Sequence, residues 1–243
     1  MITLNGELIK PTRFPDGTSQ VWRVEGINPD TNRIIWEFEN EGELMHLAQL
    51  RTLLEGTRVR LCMPFLPYGR QDKEVSNQTT FALRCFAEII KGMNFDKITT
   101  LDAHSGLFLD LAGAVNTIPR PQIGEAISAC SPDVLAFPDA GASKRYSSLF
   151  KLPSIIGYKT RNQKTGAVAY NSVEGANVEN KRVLIVDDIC DGGATFVLFA
   201  SQLQKLGAKE INLYTTHGIY SKGLNVLFEA GISRIFNRKG QIK

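Results

Sequence analysis

The sequence predicts an α/β fold of two halves, each a mainly parallel sheet flanked by helices. Three observations predict it. Short runs of β-branched and apolar residues alternate with longer stretches of helical periodicity, the signature of βαβ units. The alternation runs through the chain twice, with the halves meeting around residues 120–130, and 243 residues give each half enough length for its own core. The most apolar strand, 182–187, ends in two acids and is followed at once by a glycine-rich helix start. Open α/β sheets bind ligands at that place, the carboxyl ends of the strands.

The elements follow in order. The N-terminal part is polar and irregular, with turn signals at Pro15-Asp16-Gly17 and Asn28-Pro29-Asp30. RIIWEF (33–38) reads as a strand. Residues 41–55 read as a helix, because Leu44, Leu47, Leu50, Leu53 and Leu54 fall near one stripe. RVRLCM (58–63) is a strand, PFLPYGRQDK a loop, 79–91 a helix and KITTLD (97–102) a strand. In the second half the expected elements are a helix near 122–129, a strand at 133–137, a helix over 142–150 and a strand at 154–159. The polar stretch 160–180 follows, then the strand 182–187, the helix 194–206 and the strand 210–215.

The formal charge is only +3 and no long basic block occurs, so nucleic acid is not the expected partner. No apolar run reaches the roughly 18 residues of a membrane span, and the first residues lack a signal-peptide core, which makes a cytoplasmic protein the expectation. Cys62, Cys85, Cys130 and Cys190 form no CxxC pair and are expected to be buried or half-buried free thiols.

RVLIVDDICDGGATF (182–196) carries the chemistry. Glycines at a helix start let backbone N–H groups turn toward one point, and the helix N-terminus adds partial positive charge. Asp191, Gly192, Gly193, Ala194 and Thr195 thereby form a phosphate loop. Asp187 and Asp188 suit vicinal ribose hydroxyls and a magnesium complex. As mere turn residues, two adjacent acids after VLIV would cost free energy without a ligand. A sugar phosphate satisfies both parts of the site.

This segment resembles the signature of the type I phosphoribosyltransferases, with Ala194 where that family usually has glycine. The resemblance narrows to the ribose-phosphate diphosphokinases through TRFPDG (12–17), MPFLPYGRQDK (63–73), LDAHS (101–105), FPDAGASKR (137–145), YKTR (158–161) and TTHGIYSKG (215–223), which occur in the family's order. It implies phosphoribosyltransferase-like halves, residues 1–123 on the ATP side and 124–243 on the ribose-phosphate side. It implies transfer of diphosphate from ATP to the C1 hydroxyl of ribose 5-phosphate, with Mg²⁺, and a place in nucleotide synthesis or NAD salvage.

Roles carry over by position. Arg70, Gln71 and Asp72 resemble residues on the ATP triphosphate and adenine. Phe14 and Asp16 resemble the adenine-contacting pair that reaches a neighbouring subunit, which implies a homo-oligomer, a dimer at least. His104 resembles the histidine on magnesium–ATP. Asp139 resembles the acid that binds ribose hydroxyls and metal, so His104, Asp139 and Asp187 are the expected metal contacts. Lys159 and Arg161 resemble the cations of a mobile loop, and with His104 they form the expected catalytic set. Such cations suit phosphoryl transfer, where charge neutralisation outweighs covalent chemistry. The polar stretch 160–177 is the expected flap.

The chain is shorter than usual for the family at both ends, before RFPDG and after about residue 225. The methyl group of Ala194 reshapes the loop, so the group bound there need not be a simple 5-phosphate, and a larger acceptor such as ADP-ribose is the alternative expectation. Two other readings are a base-using phosphoribosyltransferase, against which 63–73 speaks, and a non-catalytic regulatory homologue, against which the retained Lys159, Arg161, Asp187 and Asp188 speak. His46 is expected at the surface or core edge, and His217 in a structural role.

Overall fold

The computed structural model describes residues 1–161 and 168–242; for 160, 161, 168 and 169 only the backbone is described. The chain divides into two compact units, Met1–Ile118 and Pro119–Lys243. The boundary expected after residue 123 falls inside a helix, Arg120–Cys130, so the break lies before that helix rather than within it.

In the first unit β1 (Ile2–Leu4), β2 (Glu7–Leu8) and the ribbon strands β3 (Thr12–Arg13) and β4 (Ser19–Gln20) precede β5 (Thr31–Trp36). Then come α1 (Gly42–Leu53), β6 (Arg58–Met63), α2 (Ala82–Gly92), β7 (Lys97–Leu101), α3 (Leu107–Ala112) and β8 (Val115–Thr117). The sheet order is β2-β1-β5-β6-β7-β8. Strands β5 to β8 run parallel, and β1 and β2 add antiparallel at one edge. In β6 the alternation is visible, with buried Val59, Leu61 and Met63 alternating with exposed Arg58 and Arg60 and half-buried Cys62. From α1, Leu47 and Leu50 are buried on the core and Leu44 and Leu53 pack beside it. The unit's core closes with the aromatic set Trp36, Phe86 and Phe108.

The second unit contains α4 (Arg120–Cys130), β9 (Val134–Phe137), α5 (Ala140–Tyr146), a 3₁₀ turn (Ser147–Leu149), β10 (Ser154–Arg161) and β11 (Val168–Gly175). It continues with β12 (Arg182–Cys190), α6 (Ala194–Lys205), β13 (Glu210–Gly218), α7 (Asn225–Glu229), β14 (Ile232–Asn237) and β15 (Gly240–Gln241). The sheet order is β11-β10-β9-β12-β13-β14-β15, parallel from β10 to β14 and antiparallel at both edges. Strand β12 therefore lies inside the sheet between β9 and β13. All of β9 and the Val183–Val186 stretch of β12 are buried, because a strand covered on both faces reads as one apolar run.

Several expected elements shift. The helix expected over 142–150 is α5 followed by the 3₁₀ turn. Strand β12 continues through its acids to Cys190. The flap expected over 160–177 is in part a strand, since β11 pairs with β10 from Arg161↔Val168 to Ile155↔Gly175, and 162–167 lie outside the described residues. Cys130 and Cys190 are buried and Cys62 half-buried, but Cys85 is exposed, on the solvent side of α2. No described helix is long and apolar enough to cross a membrane.

One packing contact holds the sheet edge to the helix layer. The Tyr170 ring of β11 stacks on Phe199 of α6 at 5.1 Å between centroids, directly over Gly157 of β10. A Cβ on Gly157 would collide with Tyr170 and stand 2.9 Å from the Phe199 ring. Overpacking of this kind costs about 1–3 kcal/mol. Gly157→Ala is accordingly expected to lower stability by about 2 kcal/mol, read as a drop in urea midpoint at an unchanged slope.

Candidate active site

The carboxyl end of β12 gathers groups from four elements of the second unit. Asp187 is partly buried, and its Oδ1 accepts the N–H of Asp188 at 2.9 Å. Desolvation first, then the neighbouring Asp188 and Asp139, push its carboxyl well above the usual carboxylate range. Asp188 is buried, and its Oδ2 accepts Arg145 of α5 at 2.9 Å.

Asp139 caps α5. Its Oδ1 accepts the Ala142 N–H at 2.9 Å, and its Oδ2 pairs with Lys159 Nζ of β10 at 2.9 Å. Burial opposes ionisation of Asp139, but the Ala142 amide and the Lys159 ammonium outweigh it and hold the carboxyl below its ordinary value. Tyr170 completes this side. Its hydroxyl donates to the Pro138 carbonyl at 3.1 Å, and burial, then the charges of Asp139 and Asp187, keep that hydroxyl protonated.

These distances fix the electrostatics. Lys159 offsets Asp139 and Arg145 offsets Asp188, while Asp187 has no ion pair among the described residues. An unpaired, partly desolvated carboxyl beside two that already have cationic partners favours whatever brings hydroxyl donors or positive charge.

The glycine-rich loop expected to bind phosphate follows directly. Gly193 takes a left-handed backbone (φ +80°) and opens α6, and no side chain caps that helix. None of the N–H groups of Gly192, Gly193, Ala194 and Thr195 has a hydrogen-bond acceptor among the described residues. Free first-turn amides carry the partial positive end of the helix and suit an anion. Asp191 contributes differently from its neighbours, because its Oδ1 accepts the Ser221 hydroxyl at 2.7 Å.

The remaining expected residues belong to the first unit. Phe14 and Asp16 sit at the tip of the β3–β4 ribbon, where the turn expected at Pro15-Asp16-Gly17 is closed by Phe14 N–H to Thr18 O at 2.9 Å. Phe14 is exposed. Asp16 Oδ1 accepts the Thr18 hydroxyl and amide at 2.7 and 2.9 Å, which lowers its carboxyl below the ordinary range. Arg70 and Gln71 are exposed and Asp72 half-exposed on the loop after β6. That loop is held by Gln71 N–H to Tyr68 O at 2.9 Å and Leu83 N–H to Gln71 O at 3.2 Å.

His104 is exposed in the turn after β7. The turn is fixed by buried Asp102, whose backbone is left-handed (φ +52°) and whose N–H donates to Thr117 O at 2.7 Å. His46 lies at the core edge and shares a 2.5 Å hydrogen bond with Ser19, and His217 is buried on β13 opposite Ile189.

Lys159, Asp139, Asp187, Asp188 and the loop 191–195 are thus assembled in one unit; the side chain of Arg161 lies outside the described residues. Sequence reasoning missed Arg145 and Tyr170. Arg145 stands in the FPDAGASKR segment with no partner that its spacing could name, and Tyr170 lies in a stretch that reads as polar loop.

Magnesium fits this chemistry in one way. No group of three or more metal-ligating side chains stands ready-made among the described residues. Mg²⁺ is commonly held by one or two carboxylates together with substrate phosphates, and the unpaired Asp187 beside Asp139 offers such a partner.

Comparison with known proteins gives a consistent picture. Residues 151–233 match the phosphoribosyl transferase domain family. The chain is 30% identical over 222 residues to the ribose-phosphate pyrophosphokinase of Thermococcus kodakarensis, covering 87% of this chain and 78% of that one. It is 29% identical over 172 residues to the ribose-phosphate pyrophosphokinase of Maricaulis maris, spanning 68% of this chain and 55% of that one. Among solved structures, phosphoribosylpyrophosphate synthetase from Mycobacterium smegmatis shares the fold, with a TM-score of 0.78 at 23% identity over 95% of this chain and 79% of that one.

Proposed function

The chain belongs to the ribose-phosphate pyrophosphokinase family, and from that premise we propose that it transfers the diphosphoryl group of ATP to the C1 hydroxyl of ribose 5-phosphate, giving phosphoribosyl pyrophosphate and AMP. One observation carries the reading: the partly buried Asp187, with no ion pair of its own among the described residues, feels the charges of both Asp188 and Asp139 and stands directly before a loop of free amides. A ribose phosphate supplies the missing partners, hydroxyls for the acids and an anion for the amides.

In this reaction the C1 oxygen attacks the β-phosphorus of ATP, the bond from that phosphorus to the α,β-bridging oxygen breaks, AMP departs and the hydroxyl proton is released. Asp187 and Asp188 bind the ribose hydroxyls, and Arg145 holds Asp188 in its rotamer. The amides of 192–195 hold the 5-phosphate away from the reacting carbon. Lys159, kept in place by Asp139, supplies positive charge to the transferring phosphoryl oxygens. In the first unit Arg70, Gln71, Asp72 and His104 are assigned to ATP, and Phe14 and Asp16 to adenine. Magnesium, held by Asp187 and Asp139, would neutralise phosphate charge.

Mass spectrometry of products from ATP, Mg²⁺ and ribose 5-phosphate tests the proposal, with equimolar AMP and phosphoribosyl pyrophosphate expected. A parallel reaction with ADP-ribose tests the larger acceptor suggested by the departure at Ala194. Binding of ATP without release of AMP from it in the presence of either acceptor would refute the enzymatic reading and favour a regulatory homologue.

A further inference from the structure

The segment TTHGIYSKG (215–223) has no part in the assignments above, yet its second half is fastened to the phosphate loop. Ile219 and Tyr220 N–H groups both donate to the Cys190 carbonyl, at 2.8 and 3.2 Å. The Ser221 hydroxyl donates to Asp191 at 2.7 Å, and Gly223 N–H donates back to Tyr220 O at 2.8 Å. Tyr220 holds a left-handed backbone (φ +49°), a conformation that costs a non-glycine residue about 1–2 kcal/mol. Its ring covers Gly218 so closely that any Cβ there would overlap it, and its hydroxyl lies 3.3 Å from Thr215 Oγ. Strain of this kind persists only where the surroundings over-determine it.

The consequence falls on Lys222. Its Cγ, Cδ and Cε lie 3.4–3.6 Å from the position a Cβ on Gly192 would take, so the side-chain stem runs along the loop backbone. The lysine is exposed, and its ammonium has no partner among the described residues. A lysine on a loose surface loop would sample many positions. The backbone beside this one is tethered to the β12 end of the loop, at Cys190 and Asp191, and its stem crosses Gly192, which lies between them and the helix start.

We propose that residues 218–223 form a clasp on the phosphate loop and that Lys222 is a further binding residue, supplying a cation to the phosphate end of the acceptor. The proposal rests on the assignment of that loop to a ribose phosphate. The amides alone offer partial charges, and Lys222 adds a full one. The clasp places the lysine stem beside the loop before substrate arrives, which reduces the entropy lost on binding. Because the phosphate is remote from C1, the contact strengthens ground state and transition state alike, and its loss appears in KM rather than kcat.

The test compares parent, Lys222→Met and Lys222→Arg, by steady-state kinetics with ATP in excess and by calorimetric titration of ribose 5-phosphate and ADP-ribose. Methionine keeps a stem of similar shape on Gly192 and removes the charge. The expected result is a rise of roughly tenfold in Kd and KM for whichever acceptor the parent uses, the size of a charged hydrogen bond at an exposed site. kcat should stay within about twofold, binding should depend less steeply on salt, and arginine should restore most of the affinity. Methionine binding that acceptor as the parent does, or lowering kcat at unchanged KM, would overturn the role given to Lys222 while leaving the enzymatic reading intact. A parent that binds neither sugar phosphate would overturn that reading and the clasp proposal with it.

Discussion

Lys159→Ala is expected to lower turnover by about 10²–10³ while leaving the fold and ATP affinity close to the parent's. The size follows from what the ammonium would do in the proposed diphosphoryl transfer. Charge on the transferring oxygens is redistributed in the transition state, and a fixed cation in a partly desolvated site stabilises that change more than it stabilises bound substrate. The structural role of the same residue is small by comparison. Its pair with Asp139 is partly open to solvent, at 19% and 37% side-chain exposure, so screening leaves the pair worth no more than about 1 kcal/mol. Asp139 keeps its bond from Ala142 N–H, so α5 retains its cap. The variant should therefore melt within a few degrees of the parent and bind ATP normally, yet fail in a single-turnover assay. Turnover within a factor of ten of the parent would show that Lys159 serves only to hold Asp139.

How far the sequence reached can be followed at these same residues. Strand β12 and its two acids were legible because a strand buried on both faces has to be written as VLIV, and the acids break that run abruptly. The glycine-opened helix was legible for a similar local reason. The grouping of Asp139, Lys159 and Asp187 was not, since β9, β10 and β12 bring them together from positions far apart in the chain, and only the family resemblance pointed to it. Strand β11 escaped notice because an edge strand needs less apolar surface; VAYNSVEG looks like a loop until Tyr170 is seen stacked on Phe199. The short strands β1–β4 and β8 carry too few residues for any periodicity to show. The clasp was invisible for a further reason. Its anchors are a backbone carbonyl and a tyrosine in a left-handed conformation, neither of which composition encodes.

Asp187→Asn should separate function from stability in opposite directions. Asparagine has nearly the same shape, and its Oδ1 can still accept the Asp188 N–H, so the strand end keeps its geometry. The change removes a group whose ionisation is opposed by burial first and by Asp188 and Asp139 next. A carboxyl raised in the folded state contributes stability that is complete below its unfolded value of about 4 and is lost as pH rises through the folded one. In the parent, stability should therefore fall from about pH 4 upward on account of this residue. In the variant that loss is absent, so its advantage in melting temperature should be small near pH 3.5 and grow toward pH 7.

Activity should move the other way. The amide would offer one acceptor and no charge to the proposed ribose hydroxyls and magnesium, and a loss of about a hundredfold or more in kcat/KM is expected. Thermal melts across pH 3.5–8, set beside kinetics at pH 7.5, read both effects from one preparation. A variant less stable than the parent at neutral pH, with the same slope against pH, would mean that Asp187 is already satisfied within the protein. The ligand-binding reading of the β12 terminus would then lose its main support. A more stable and inactive variant would instead locate at Asp187 the stability that this site gives up in order to bind.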